Sequence, residues 1–304
     1  SFPTRRSSDL LLGHMQEAMK ALPEWRFSLL THRYNAGIAD ALPESVERIA
    51  APVGARWAER GWWLQRNGRR ICDSHGIDLV FSPSGLLSNG CPRPQVVLAQ
   101  NPWPLLPGMA RGRERIKAWL QRRAYARAHR QAAVMVFNSN YMRALYEERF
   151  GARAGASTVA YQGIDESLFE AGGMRRDPKA RRQMLLCVSV MARHKAIETL
   201  IRAFAEIAAR NPRAELVLAG PWPDASYRSD VDALVREKGL QQRVRFTGHV
   251  HQAELERLYT EARVFCLLSR CESFGIPAVE AQAFATPTVV AAGTAAGEVT
   301  CGAV

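Results

Sequence analysis

Two glutamates, Glu272 and Glu280, stand with seven residues between them in the run Arg270-Cys271-Glu272-Ser273-Phe274-Gly275-Ile276-Pro277-Ala278-Val279-Glu280-Ala281. An ionised carboxylate only accepts hydrogen bonds, so a pair at this separation suits the hydroxyl groups of two sugar rings. Pro277 fits the first turn of a helix, where its missing N–H costs nothing. The free N–H groups of that turn and the positive end of the helix dipole favour phosphate or sugar oxygens, and Gly275 lets a ligand approach the backbone. Glu272 is then expected to point from a loop into a cleft, with Glu280 one turn into the helix. The bland alternative is a capping Glu272 and a solvated Glu280. A second constellation, Arg193 and Lys195, follows an apolar run and opens a helical pattern. There the Lys195 ammonium can join a helix terminus in neutralising a diphosphate, although a solvated basic turn would look the same. A contact of this kind accelerates a reaction when it strengthens as the leaving group gains charge.

Two further stretches could meet a ligand. Asn101, in Gln100-Asn101-Pro102-Trp103-Pro104, can hydrogen-bond a sugar hydroxyl but cannot shuttle a proton as His would, and the run also reads as a simple turn. The basic stretch with Arg111, Arg113, Arg115, Lys117, Arg122, Arg123, Arg127 and Arg130 has Trp119 and Leu120 between its charges. It fits the surface of an anionic membrane carrying a lipid-linked acceptor, or an ordinary cover helix with one solvated face.

These residues need elements to hold them. Short β-rich runs alternate with longer helical patterns, the signature of βα units around parallel sheets. In the first half, strands are predicted at 26–31, 78–82, 95–99, 133–137 and 158–161, with helices at 55–75, 111–129 and 140–150, the last capped by Asn138 or Ser139. The segment from Glu170 to Pro178, with Gly172 and Gly173, reads as a linker. Beyond it the pattern restarts with strands at 184–190, 215–219, 243–247, 264–268 and 288–291 and helices at 196–210, through 231–238, at 252–262 and at 277–285. The expected architecture is α/β, with two Rossmann-like, doubly wound domains whose strand carboxyl ends face a central cleft. Their expected bounds are 10–174 and 175–304. Residues 1–9, polar and without periodicity, are read as a non-native leader. The chain is expected to be cut at both ends, lacking the first strand and its glycine-rich loop, and ending with no closing helix.

Composition bounds the partners. The 304 residues, 47% of them hydrophobic, suffice for two cores. A formal net charge of +12 attracts phosphate-bearing substrates, acidic lipid surfaces or nucleic acid, although no nucleic-acid reading module is visible. The six cysteines include no C-x-x-C pair and no spacing suited to zinc, so they are expected to be reduced thiols of a cytoplasmic protein. No stretch reaches the roughly 18 apolar residues of a membrane span.

From about Asp78 to Gly302 the motifs resemble those of the retaining glycosyltransferase family 4, which has the GT-B fold. Glu272 and Glu280 are similar to that family's E-x7-E pair. Asn138-Ser139-Asn140-Tyr141-Met142, then Val159 to Asp165 and Phe169, are similar to the end of its first domain. Val188-Ser189-Val190-Met191-Ala192-Arg193-His194-Lys195-Ala196 resembles its phosphate-binding turn, and Phe246-Thr247-Gly248-His249-Val250 its base-contacting loop. The resemblance implies that Glu280 holds the ribose, and that Glu272 with the backbone of Ser273, Phe274, Gly275 and Ile276 holds the transferred sugar. It implies that His249 and Val250 lie at the base and that Lys195 stabilises the leaving diphosphate. The family's arginine five residues before this lysine is Val190 here, and Arg193 is expected to reach the same phosphates. The histidine often found after the strand ending near Ala99 is replaced by the Gln100-Asn101 turn.

The expected function is transfer of a sugar from a uridine or guanosine diphosphate sugar to a hydroxyl of a glycan, lipid or small molecule, with retention and with neither metal nor cofactor. The rival readings are a sugar-nucleotide epimerase or phosphorylase of the same fold, and an inactive fragment or binding module.

Overall fold

In the computed structural model, which describes residues 5–32, 36–54, 56–110, 112, 114–164, 168–169 and 181–301, the alternating pattern becomes parallel sheets flanked by helices. The 170–178 run read as a linker, like Arg111 and Arg113, lies outside the described residues. The chain divides into one unit of Ser1–Leu98 with Arg127–Met135, and a second of Ala99–Ala126 with Val136–Val304.

The first unit contains α1 (Arg5–Ala21), β1 (Ser28–Thr31), α2 (Ala36–Asp40), β2 (Glu47–Ala50), α3 (Trp57–Ser74), β3 (Val80–Ser82) and most of β4 (Gln95–Ala99). Strand β1 pairs in parallel with β2, and β3 with β4. Helix α1 begins at Arg5, inside the stretch read as a leader, and its Leu11, Leu12, Met15 and Met19 pack on Leu29, Leu42 and Val46. The sequence pattern had offered no element at α1, α2 or β2, the last two being only five and four residues long.

Helix α4 (Glu114–Gln131) and strand β5 (Val134–Phe137) lead into α5 (Asn140–Phe150) and β6 (Ala156–Val159). Of the two candidate caps for α5 it is Ser139 whose hydroxyl accepts the Met142 N–H, at 3.1 Å.

The rest of the second unit is β7 (Met184–Val188), α6 (Ile197–Arg210), β8 (Glu215–Ala219), α7 (Ala225–Glu237), β9 (Val244–Gly248), α8 (Gln252–Glu261), β10 (Val264–Leu267), α9 (Ile276–Ala283), β11 (Thr288–Val290) and α10 (Ala295–Val299). Its five strands pair in parallel in the order β11-β10-β7-β8-β9. Side chains of a strand alternate between faces, and here both faces are covered, so the strands read as continuous apolar runs. Cys187, Leu216 and Leu218 pack under α6 and α7 with Ile201, Phe204 and Val231. Met184, Leu186, Val188 and Val217 pack with Leu258, Phe265, Ala278 and Phe284 under α8 and α9. The chain goes outward from β7 to β8 and β9, then crosses back to β10 on the other side of β7. That reversal makes a crevice at the carboxyl ends of β7 and β10, where ligands of open α/β sheets bind.

The region after β11 differs from expectation. Instead of ending without a helix it forms α10, whose Ala295 and Ala296 are fully buried. Five residues, Ala295-Ala296-Gly297-Glu298-Val299, are too few and too poor in large apolar side chains to show a period.

Arg181 ties two helix ends together. Its buried guanidinium donates to the carbonyls of Tyr259, Thr260 and Ala262 at the end of α8, and to those of Phe284 and Ala285 after α9, at 2.7 to 3.2 Å. Helix C-termini leave carbonyls without intrahelical partners, and buried ones must find donors. Arg181→Met is therefore expected to cost about 3 kcal/mol or more, read as a lowered urea midpoint at unchanged m, and Arg181→Lys to recover only part of it.

Candidate active site

The crevice is built by two turns. After β7 the chain passes through Ser189 into a single 3₁₀ turn, Arg193–Lys195, and Ala196 takes the left-handed conformation (φ 52°) before α6 starts. After β10, a loop runs to Gly275, whose φ of 100° is left-handed and where an added Cβ would lie 3.0 Å from the Cβ of Ala296. Only glycine meets both demands without strain. Helix α9 then begins at Ile276 with Pro277 in its first turn, as the sequence predicts.

The turns lock onto each other. Lys195 Nζ lies 2.6 Å from Glu272 Oε2, with 14% and 15% of the two side chains exposed. The Arg270 N–H donates to the His194 carbonyl at 2.7 Å, and the Ala295 N–H to the Glu272 carbonyl at 3.3 Å. The Ser139 hydroxyl donates to the Ser273 carbonyl at 3.1 Å. A carboxylate completes the frame: Glu298 of α10 accepts from the N–H groups of Asn140 (2.8 Å) and Tyr141 (2.7 Å) at the start of α5, from Asn140 Nδ2 and from the Tyr161 hydroxyl. A negative charge at a helix N-terminus is favourable, and four donors satisfy it fully. Burial pushes the Glu298 carboxyl up, but the hydrogen bonds from Tyr161, Tyr141 and Asn140 outweigh it and hold the group below its ordinary range.

Within the second unit a cavity of about 390 Å³ opens beside the Lys195–Glu272 pair. Gln100, Asn101, Pro102 and Trp103 line it together with Glu114, Lys117 and Gln121 of α4, and with His194, Lys195, Cys271, Glu272 and Ser273. Its volume is in the range of small-molecule sites. Four sequence candidates, Lys195, Glu272, Ser273 and Asn101, therefore share one wall or another of it. Asn101 is also a turn residue, its carbonyl oxygen accepting the Trp103 N–H at 3.1 Å.

The remaining candidates sit elsewhere. Glu280 accepts the Tyr259 hydroxyl at 2.7 Å on α9. Phe274 is buried, its ring 6.3 Å from that of Tyr161. Gly275 and Ile276 form the turn into α9, His249 is exposed, and Val250 packs on the core. Arg193 does not join Lys195. Its guanidinium is held by Asp224 (3.2 Å), Asp230 (3.0 Å) and the Ser226 hydroxyl, and stacks over the Tyr227 ring. Asp230 and Asp232 form an Asp-x-Asp triplet, but Arg193 engages the first and Arg228 the second. Among the described residues no group of three or more His, Cys, Asp or Glu is placed to hold a metal ion.

Several lining residues carried no signal by type alone. Glu114, Lys117 and Gln121 follow helical spacing of three and four and could have been read as one polar face of α4. His194 lies behind a motif residue. Burial and then the Lys195 charge bring its pKa down to about 4 against the opposing pull of Glu272, so it is a neutral imidazole at physiological pH. Burial and the Glu272 charge push the Cys271 thiol up to about 12, which removes it as a nucleophile.

Two titrations follow. The unfolded chain binds a proton at His194 near pH 6.5 and the folded chain only near 4, so the stability associated with neutral His194 is complete above 6.5 and declines as pH falls toward 4. His194→Gln is expected to flatten the fall in melting temperature over that window; an unchanged slope would show that other groups cause it. Glu298 has the opposite charge type, and its contribution is present above pH 4.5 and lost as pH falls through its lower folded value. Glu298→Ala is expected to cost about 2 kcal/mol near neutral pH and much less in acid, measured by denaturant unfolding.

Comparison with known proteins identifies the family. Residues 13–168 match the model of Glycosyltransferase Family 4, and residues 175–303 that of Glycosyl transferases group 1. A D-inositol 3-phosphate glycosyltransferase of Corynebacterium aurimucosum is 34% identical over 156 residues, which are 48% of this chain and 37% of that protein. Mannosylfructose-phosphate synthase of Agrobacterium fabrum is 37% identical over 113 residues, 36% of this chain and 25% of the relative. This chain thus matches well under half the length of either. In fold, Anabaena HepE, solved with UDP and glucose, superposes with a TM-score of 0.64 over 88% of this chain and 74% of its own, at 19% identity. With family motifs matched along both halves and an α/β fold of the GT-B class, the chain belongs to glycosyltransferase family 4.

Proposed function

We infer that this chain binds a nucleoside diphosphate sugar in the crevice at β7 and β10 and moves the sugar, with retention at the anomeric carbon and without a metal, to an acceptor hydroxyl. The observation that carries this is the Lys195–Glu272 pair, 2.6 Å apart on the wall of a cavity at the switch point of a parallel sheet. Lys195 neutralises the diphosphate as its bond to the sugar breaks, and Glu272 takes the hydroxyls of the transferred sugar. Glu280 receives the ribose, and His249 and Val250 lie at the base. The bond from the acceptor oxygen to the anomeric carbon forms as the bond to phosphate oxygen breaks. The electron pair leaves with the diphosphate, and the acceptor proton passes to a phosphate oxygen. No protein nucleophile is assigned, in keeping with the protonated Cys271 thiol.

Arg193 would have to abandon two carboxylates to reach a phosphate, so Lys195 is assigned the charge and Arg193 the fixing of its turn to α7. The UDP and glucose in Anabaena HepE favour a uridine nucleotide over a guanosine one. The two stretches matched by the family models support domains of 10–174 and 175–304. Six free cysteines suit a cytoplasmic protein.

Thermal stabilisation by uridine, guanosine and adenosine diphosphates tests the donor site. A nucleotide at about 100 times its dissociation constant adds about 2.7 kcal/mol, and one of the three is expected to raise the melting temperature accordingly. Lys195→Ala and Glu280→Ala are expected to abolish the shift. A folded chain that none of the three stabilises would overturn the assignment. Product analysis with and without an acceptor then separates transfer from epimerisation.

A further inference from the structure

Helix α4 is apolar on two sides. Its inner side is accounted for: Ala118 and Tyr125 are buried, and Arg122 donates to the Pro104 carbonyl at 3.1 Å. Its outer side carries Ile116, Trp119 and Leu120, which are 66%, 48% and 41% exposed. Positions 116, 119, 120 and 123 fall on one helical face, and the Arg123 guanidinium lies 4.9 Å from the centre of the Trp119 ring. Arg115 and Lys117, both exposed, flank the stripe. Over 114–126 four cations, Arg115, Lys117, Arg122 and Arg123, face one carboxylate, Glu114. A cover helix turned outward to water would show polar residues at these positions.

We propose that this face of α4 docks on an anionic lipid surface, with Ile116, Trp119 and Leu120 in the headgroup boundary and Arg115 and Arg123 on acidic headgroups. Charge complementarity selects the occupant: an apolar stripe edged by cations is the composition of an interfacial helix, and Trp with its amphipathic ring belongs at that depth. A protein partner would more usually face a core depleted of charge. Among the described residues no helix is long and apolar enough to cross a membrane. The same helix lends Glu114, Lys117 and Gln121 to the cavity. Docking therefore brings one cavity wall to the headgroup layer, where an acceptor hydroxyl carried on a lipid would enter. The docking face stands independently of the glycosyltransferase assignment, and only this consequence for the acceptor rests on it.

The test is co-sedimentation of the 304-residue chain with vesicles of phosphatidylcholine alone and with mixed phosphatidylcholine–phosphatidylglycerol vesicles. Binding is expected to the mixed vesicles only and to weaken with added salt. Arg115→Gln with Arg123→Gln is expected to weaken it about 25-fold, at about fivefold per cation. Ile116→Ser with Leu120→Ser is expected to weaken it about tenfold or more. These positions are exposed, and unchanged melting temperature and nucleotide-induced shift would show that fold and donor site survive, so loss of docking is distinguishable from loss of the donor site. Trp62→Ser, on the exposed face of α3, is expected to leave binding intact. No binding to the mixed vesicles, equal binding to both kinds, or an equal loss with Trp62→Ser would overturn the proposal. So would binding of RNA, in place of vesicles, that the α4 substitutions remove.

Discussion

One ion pair joins the two turns at the carboxyl ends of β7 and β10. Lys195 and Glu272 are 77 residues apart in the chain and 2.6 Å apart in space, because β7 and β10 are neighbours in the sheet and their carboxyl ends open on the same side. Each charge is mostly withdrawn from water, and a buried charge without its partner is costly. The two turns are therefore held in register by electrostatics as well as by the Arg270 to His194 backbone bond. On the proposed function, an incoming diphosphate would compete for the ammonium and release the carboxylate to sugar hydroxyls.

The pair can form only because backbone devices shape what lies beneath it. Gly220, at φ 141°, packs so closely that a Cβ would lie 1.8 Å from the Ser189 carbonyl oxygen, which brings the ends of β7 and β8 together under the Lys195 turn. Gly275 does the same for the Glu272 loop against α10. Helix α10 in turn presents Glu298 to the N-terminus of α5, whose cap residue Ser139 bonds Ser273. Small residues thus set distances, and one carboxylate and one hydroxyl convert those distances into directed contacts. Arg181 acts at the C-terminal ends of α8 and α9, supplying donors to carbonyls that the core would otherwise strand.

Much of this was legible as pattern. Strands β4 and β8 and helix α5 lie where their apolar periods put them, and most other elements differ at their ends by a few residues, where local signals fade. The loop-to-helix transition at Gly275 and Pro277 was readable because those residue types have few other uses. Helix α10 was not, since its small side chains carry no period and it is stabilised by packing. The placement of Arg193 was hidden for another reason. A guanidinium near a phosphate-binding turn and one neutralised by Asp224 and Asp230 have the same local sequence, and the acids that decide between them lie about 30 residues on, at the cap and in the body of α7.

By itself, then, the sequence determined the α/β class, the order of strands and helices, the E-x7-E pair, the lysine turn and the family resemblance, because each is written in residues close together in the chain. Tertiary structure alone decided that Lys195 meets Glu272, that Arg193 turns to α7, that His194 loses its proton affinity, and that α4 lines a cavity on one side and shows Trp119 on another. Those outcomes depend on strand order and burial. Both are properties of residues far apart in the chain, and no local period or motif encodes them.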